Sequence, residues 1–246
     1  MNLVYQYYLP YPGEIGKPDW VEIGKKSAEK YSKEIGAEYI YSEEKYMNSV
    51  LNVFESFRLF FDESFDCYDK ILLLDIDTIV NTKDNIFDIE IEDVGMVHEL
   101  GVYNRSAVPG ASFTPKFWDN YFNNPHTGIS SYAKKFLDEK FKWKKSKLHP
   151  NEKFALYNGG VQVWSKEGRI KARSLFDSKK HDHFHKETRK GETAYLNMMF
   201  FHHGFKITEL ENDWNRLNFQ WSENDHFGKI THFNDIKKDK MYNHGK

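Results

Sequence analysis

An apolar run, ILLL at 71–74, ends on two carboxylates, Asp75 and Asp77, set one residue apart within YDKILLLDIDTIV (68–80). Four consecutive aliphatic residues leave no polar face, so as a strand the run must be covered on both sides, which is the habit of strands inside parallel α/β sheets. Ligands of such sheets bind in the crevice beyond the carboxyl ends of the strands. Two acids placed where a buried strand emerges therefore point at that crevice. Alternate residues of extended backbone share a face, and hard oxygen ligands at this spacing hold Mg²⁺ or Mn²⁺ while leaving positions for phosphate oxygens. An Asp at a strand end also caps turns and helices, and the D-x-D alone fits both readings.

The remaining sequence supplies the partners such a strand needs. LVYQYYL (3–9) reads as a strand. Residues 18–35 carry apolar positions at helical spacing, from Pro18, suited to a first turn, to a stop at Gly36. AEYIYS (37–42) reads as a second strand and 45–61 as a second helix. Further strands are expected at 94–99, 157–165, 205–210 and 229–234, with helices near 115–140, 166–176 and 191–203. Strands alternating with helices predict an α/β fold whose central strand has parallel neighbours and helices on both faces. No internal repeat is present, and the lysine-rich FKWKKSKLHPNEK (141–153) reads as a solvated loop, so residues 1–246 are expected to form one domain.

Composition narrows the function classes. With 246 residues, 39% of them hydrophobic, the chain can bury a sizeable core. A formal net charge of −2 lacks the basic excess with which proteins grip nucleic acid, so none is expected as a partner. The single cysteine, Cys67, cannot form an internal disulfide, and no run approaches a membrane span or a signal peptide's apolar core. A cytoplasmic protein without a transmembrane segment is expected, its oligomeric state open.

Two enzyme classes place D-x-D after an apolar strand. Phosphatases of the haloacid dehalogenase type use the first Asp as nucleophile, but there the motif normally lies near the chain start and is followed by x-[TV]; here two βα units precede it and the corresponding position is Ile79. In nucleotide-sugar glycosyltransferases of the GT-A fold the N-terminal βα units bind the nucleotide and the D-x-D ends a later strand. The position favours the second. A non-catalytic sugar-nucleotide or glycan-binding protein of the same fold is a third reading.

The resemblance then becomes specific. FRLFFDESFDCYDKILLLDIDTIVNTKDNIFDI (57–89) resembles the core of glycosyltransferase family 8: a basic residue on a helix, YD-[KR], an apolar strand, D-x-D-T and a segment close to N-I-x-x-L-F-D. YNGGVQVWS resembles the family's F-N-[ST]-G-V, GETAYLN its D-Q-x-x-L-N, and HFNDIKK its H-F-x-G-x-x-K, in the same order. The resemblance spans roughly residues 50–240, and the segment between about 100 and 155 is least similar. It implies a single GT-A (Rossmann-like) domain with a mostly parallel central sheet flanked by helices. Residues 1–100 would form the nucleotide-binding half, ending in the D-x-D strand, and 101–246 the acceptor-side half with a C-terminal metal ligand.

The resemblance also implies roles. Asp75, Asp77 and His232 would hold Mn²⁺ or Mg²⁺, imidazole beside carboxylates suiting Mn²⁺, and Lys238 would neutralise the diphosphate of a UDP-sugar donor. Arg58, Asn158 and Gly159 would contact the donor; YQYYLPYPG has no clean counterpart in the family, and Tyr7, Tyr8 or Tyr11 is the candidate for stacking on the base. Each has a structural counterpart: a surface salt bridge for Arg58, a β-bulge or turn for YNGGV, core packing for the tyrosines. The sequence departs from the family at Glu192, where Asp is usual, at Thr193, where Gln is frequent, and at Asp235, where Gly is usual. Glu192 is the candidate for orienting a donor hydroxyl or stabilising the reacting sugar, and equally suits the first turn of a helix. The family transfers a sugar to a hydroxyl acceptor, a glycan or other, with retention at the anomeric carbon. HDHFHK (181–186) reads as a polar loop, and Trp214 and Trp221 as a wall for the acceptor.

Overall fold

A computed structural model describes residues 1–10, 16–49, 51–98, 157–176, 182, 192–217, 227–233 and 241. The helix expected near 115–140, the loop 141–153, most of HDHFHK, Tyr11, Trp221 and Lys238 lie outside the described residues.

Strand β1 (Asn2–Tyr7) leads into α1 (Asp19–Glu34). The helix begins after Pro18, with Asp19 and Glu22 in its first turn, where acids favour the dipole. It ends as the sequence predicts. Gly36 adopts φ +68, its N–H meets the Lys33 carbonyl and the Ala37 N–H meets the Ser32 carbonyl, a pairing that closes a helix through a left-handed glycine. Strand β2 (Glu38–Ser42) follows.

The second helix is shorter than its periodicity suggests. A 3₁₀ turn, Asn52–Phe57, runs into one α-helical turn, α2 (Arg58–Phe61). The buried Glu55 carboxylate accepts the backbone N–H groups of Tyr46 at 2.8 Å and Met47 at 2.9 Å, tying down a non-helical approach. Phe54, Phe57, Leu59 and Phe60 are all buried. Four neighbouring side chains with no solvent face are the product of tertiary packing, which a single amphipathic helix would not provide.

Strand β3 (Lys70–Leu74) carries the apolar run, and a turn connects it to β4 (Thr78–Val80). The period-2 alternation divides the strand between two cores. Ile71 and Leu73 join an aromatic-rich cluster with Phe57, Phe60, Trp164 and Phe200, and Leu72 and Leu74 join a second with Ala28, Tyr31, Val163 and Trp214. Both faces are covered, as four aliphatic residues in a row require.

Strands β5 (Val94–His98), β6 (Tyr157–Ser165) and β7 (Ile207–Leu210) complete a six-stranded sheet of order β2-β1-β3-β6-β5-β7. The β1–β2, β1–β3 and β5–β7 pairs are parallel, while β6 runs antiparallel to both β3 and β5. The sheet is mostly parallel, but β3 has one parallel neighbour where two were expected. The reversal has a positional consequence. Leu74 pairs with Val161, so the start of β6, Asn158–Gly160, lies beside the turn that follows β3.

Helix α3 (Lys166–Leu175) follows β6, capped by the Ser165 side chain, which accepts the Gly168 N–H, and α4 (Glu192–His203) packs over β6. A small sheet, β4-β9-β8, brings in the late strands β8 (Arg216–Leu217) and β9 (Ile230–His232). Among the described residues no helix is long and apolar enough to cross a membrane.

Candidate active site

Asp75 leaves β3 held by its backbone. Its N–H donates to the Gly160 carbonyl at 2.9 Å, and its own carbonyl accepts from Thr78 N at 3.2 Å, Thr78 Oγ1 at 2.7 Å and the buried Gln6 Nε2 at 3.3 Å. The threonine of the D-x-D-T run is thus a clamp on the turn. The turn rests on α1 at Gly24, where a Cβ would lie 1.9 Å from the Ile76 carbonyl oxygen, so glycine is what admits the contact.

The Asp77 carbonyl accepts the Phe233 N–H at 2.8 Å, and Thr78 pairs with His232 across the β4–β9 ladder. This pairing brings the C-terminal THF segment back to the D-x-D. His232 Nε2 lies 3.2 Å from Asp77 Oδ1 and 3.5 Å from Asp75 Oδ2, and one donor atom from each of the three residues lies within 4.8 Å of the others. The Asp77 side chain is 10% exposed and that of Asp75 41%. The former is built into the floor, and the latter faces solvent.

Gly160 packs against the far side of the imidazole. A Cβ there would meet His232 Cε1 at 2.2 Å and Nδ1 at 2.3 Å. Gly160→Ala is therefore expected to displace the ring and, if the Asp75, Asp77 and His232 group holds Mn²⁺, to weaken that binding by roughly 10- to 100-fold, the range for perturbing the supports of metal ligands. Isothermal titration with Mn²⁺ checks this, and an unchanged affinity would show that the ring position does not govern binding.

Glu192 opens α4 and faces the start of β6. Its Oε1 accepts from Gln162 Nε2 at 2.8 Å and its Oε2 from Thr193 Oγ1 at 3.2 Å. The buried Gln162 also donates to the Gly159 carbonyl at 2.8 Å and accepts from Trp164 Nε1 at 2.8 Å. A Cβ on Gly159 would lie 2.8 Å from Glu192 Oε2, so the first glycine of YNGGV makes room for this carboxyl. Burial, and next the Asp75 charge, push the Glu192 carboxyl up to about 8, against the hydrogen bonds from Gln162 and Thr193.

A cleft of about 110 Å³ adjoins Asp75 and Asp77, walled by Tyr7, Tyr8, Trp20, Asn52 and Val53. The Tyr7 hydroxyl donates to the Val53 carbonyl at 3.0 Å, and the Tyr8 and Trp20 rings meet edge-on with centroids 6.1 Å apart. Aromatic rings and the two carboxylates share the lining of the cleft.

No family model matches this chain, and no curated protein matches it. Solved structures do. A glycosyltransferase involved in the glycosylation of the major capsid of PBCV-1 superposes with a TM-score of 0.54 at 15% identity, covering 99% of this chain and 98% of that one. The fold is that of glycosyltransferases. The WbbM bifunctional glycosyltransferase gives a TM-score of 0.54 at 12% identity, with 98% of this chain matching 49% of that one. The apo form of the glycosyltransferase GlyE from Streptococcus pneumoniae gives 0.50 at 15%, covering 99% and 60%. The α/β, mostly parallel GT-A architecture expected from the position of the D-x-D is the one observed.

The structure gathers Asp75, Asp77, His232, Asn158, Gly159 and Glu192 around one end of β3 and β6, with Tyr8 in the adjoining cleft. Arg58 is engaged elsewhere. Its Nε donates to Asp62 at 3.0 Å and its Nη1 to Ser42 Oγ at 3.1 Å, and its guanidinium lies over the Tyr46 ring at 5.1 Å. Trp214, read as an acceptor wall, is buried in the second core with Lys229 over its ring. Three site residues escaped sequence reasoning. Gln162 was findable as the one large polar side chain among the alternating apolar positions of β6. Asn197, whose amide grips both backbone groups of Tyr157, lies in the quoted GETAYLN. Asn215 of NDWN gives no signal at all.

Proposed function

We propose that this chain is a divalent-metal-dependent glycosyltransferase that moves a sugar from a UDP-sugar to a hydroxyl group of a glycan or other acceptor. The observation that carries the proposal is the meeting of Asp75, Asp77 and His232 at the carboxyl end of the central strand in a glycosyltransferase fold. The donor set fits a cation: two hard carboxylate oxygens and one borderline imidazole nitrogen suit Mn²⁺ well and Mg²⁺ through the oxygens. It also demands one if a diphosphate binds here. Like charges 4 Å apart repel by about 4 kcal/mol at an effective dielectric of 20, so phosphate oxygens cannot sit beside both acids unscreened.

Asp75, Asp77 and His232 would hold the ion, which when bound supplies Lewis-acid stabilisation of the departing diphosphate oxygen. Tyr7 and Tyr8, which line the cleft, would lie against the nucleotide, Tyr8 as the face for the base. Residues 1–100 make up this nucleotide-binding half, and 101–246 supply the acceptor side. Asn158 and the backbone at Gly159 border the sugar, and Glu192, oriented by Gln162 and Thr193, stands where it can hydrogen-bond a donor hydroxyl and stabilise positive charge developing on the sugar ring. Lys238 is assigned to the diphosphate and the outcome to retention, in keeping with the family 8 resemblance, while Arg58 stays with its partners Asp62 and Ser42.

The test is thermal stabilisation by a panel of nucleotide-sugars with Mn²⁺, Mg²⁺ or EDTA. A ligand at 100 times its Kd stabilises the fold by about 2.7 kcal/mol. A UDP-sugar is expected to raise Tm only with metal, and the same pair should release UDP slowly into water and faster with acceptor. If no nucleotide-sugar stabilises the protein in a metal-dependent way, the proposal fails.

A further inference from the structure

The buried face of His232 carries information that its metal-facing side does not. Behind the ring, Nδ1 lies 3.2 Å from Asn215 Oδ1, Asn215 Nδ2 lies 2.9 Å from Asn158 Oδ1, and that oxygen accepts the Gly160 N–H at 3.0 Å. His232 and Asn215 are both buried. The chain of atoms can be read in one direction only, starting from its fixed end.

A backbone N–H donates and never accepts, so the Asn158 atom facing Gly160 N is the carbonyl oxygen. An amide oxygen accepts and never donates, so the Asn215 atom facing it is the NH₂ group. The remaining Asn215 atom, the one facing the imidazole, is therefore its oxygen, and an oxygen in that place requires a proton on Nδ1. In the neutral ring Nε2 is left with its lone pair, and Nε2 is the nitrogen near Asp75 and Asp77.

We infer that Asn158 and Asn215 are positioning residues that relay the direction of one backbone hydrogen bond to His232, fixing the ring as its Nδ1–H tautomer with the Nε2 lone pair aimed between Asp75 and Asp77. The inference deepens the metal site of the proposed function and rests on that reading for its purpose. Its derivation rests on the hydrogen-bond geometry alone. A neutral imidazole free to choose would place a proton on Nε2 beside the carboxylates, which hydrogen-bonds them and blocks the nitrogen as a ligand. The relay opposes that choice. Outer partners of this kind set ligand orientation and tautomer, and losing one costs about 10- to 100-fold in metal affinity. The relay also gives Asn158 of the YNGG segment a task besides sugar contact, and it explains why a polar residue stands at position 215, where the chain is fully buried.

Near-isosteric variants separate this relay from simple packing. Asn158→Asp keeps an oxygen acceptor for both Gly160 N–H and Asn215 Nδ2, while Asn158→Leu and Asn215→Leu fill similar volume without one. Long-range ¹H–¹⁵N correlation of the histidine rings, in metal-free protein at a pH where His232 is neutral, reads the tautomer directly. Electron paramagnetic resonance with Mn²⁺ alone reads affinity. The wild type and Asn158→Asp are expected to show the proton on Nδ1. The two Leu variants are expected to show a mixture of tautomers and Mn²⁺ affinity lower by roughly 10- to 100-fold. Should Asn215→Leu fail to fold, the Asn158 pair carries the comparison. A neutral wild-type ring protonated on Nε2, or folded Leu variants with unchanged tautomer and affinity, would overturn the inference. A wild type that shows Nδ1–H and binds no Mn²⁺ would uphold the relay while removing the metal from the proposed function.

Discussion

Asp77→Ala is expected to lower turnover by roughly 100- to 1,000-fold while the protein stays folded, the scale seen when one group stabilising transition-state charge is removed. Asp77 is the better fixed of the two proposed carboxylate ligands. Its side chain is 10% exposed against 41%, and its Oδ1 is the carboxylate oxygen nearer His232 Nε2, at 3.2 Å against 3.5 Å. Its carbonyl, which holds Phe233 N–H at 2.8 Å, survives truncation of the side chain. The substitution also removes one of two neighbouring negative charges facing one imidazole, so little stability should be lost. In the proposed function binding and chemistry both depend on the ion: Mn²⁺ affinity, metal-dependent stabilisation by the donor and the rate of UDP release should fall together. Asp75→Asn, more exposed and retaining a coordinating oxygen, should have a smaller effect. Initial rates of UDP release, with far-UV circular dichroism as the folding control, decide the matter. Undiminished Mn²⁺-dependent transfer by Asp77→Ala would remove the D-x-D from the mechanism.

Much of this arrangement was legible because its causes are local. The helix over 18–35 has a first-turn proline and a terminal glycine, and α1 occupies Asp19–Glu34 with Gly36 at positive φ. YNGGVQVWS forms β6 over its whole length because alternate and consecutive apolar residues feed both cores. The segment 45–61 was misread because its aromatic positions satisfy helical spacing while the buried Glu55 carboxylate holds the preceding loop in another shape. The direction of β6 was invisible, since no strand encodes whether it enters a sheet from above or below, and that direction is what sets Asn158–Gly160 beside Asp75. Asn215 was invisible for a different reason. A buried polar residue is recognised by its partners, and here they come from β6 and β9, distant in sequence.

Glu192→Gln is expected to slow transfer by on the order of 100-fold, and to change how stability depends on pH. The two effects have one cause. Burial, then the neighbouring Asp75 charge, raise the Glu192 carboxyl from an ordinary 4.5 to about 8 in the folded protein. Between pH 4.5 and 8 the folded protein therefore retains a proton that the unfolded chain has released, so stability falls as pH rises through this window. Below it both states are protonated and above it both are ionised, so the slope from this group vanishes at either end. Gln keeps the acceptor for Gln162 Nε2 but cannot titrate, so the variant should gain stability relative to the wild type as pH rises through the window, then hold a constant lead. A cation beside Asp75 offsets the second cause of the shift, so adding Mn²⁺ should move the upper end of the window to lower pH. Loss of turnover follows where Glu192 is ionised, above the window or once Mn²⁺ has drawn its upper end down, if the carboxylate stabilises positive charge on the sugar ring; a neutral amide of the same shape supplies the hydrogen bond without that charge. Urea midpoints of wild type and variant in EDTA across the window test the linkage, and UDP release with acceptor tests the chemistry. A stability difference independent of pH would show that Glu192 titrates as an ordinary surface acid, and undiminished transfer by the Gln variant would exclude its charge from the reaction.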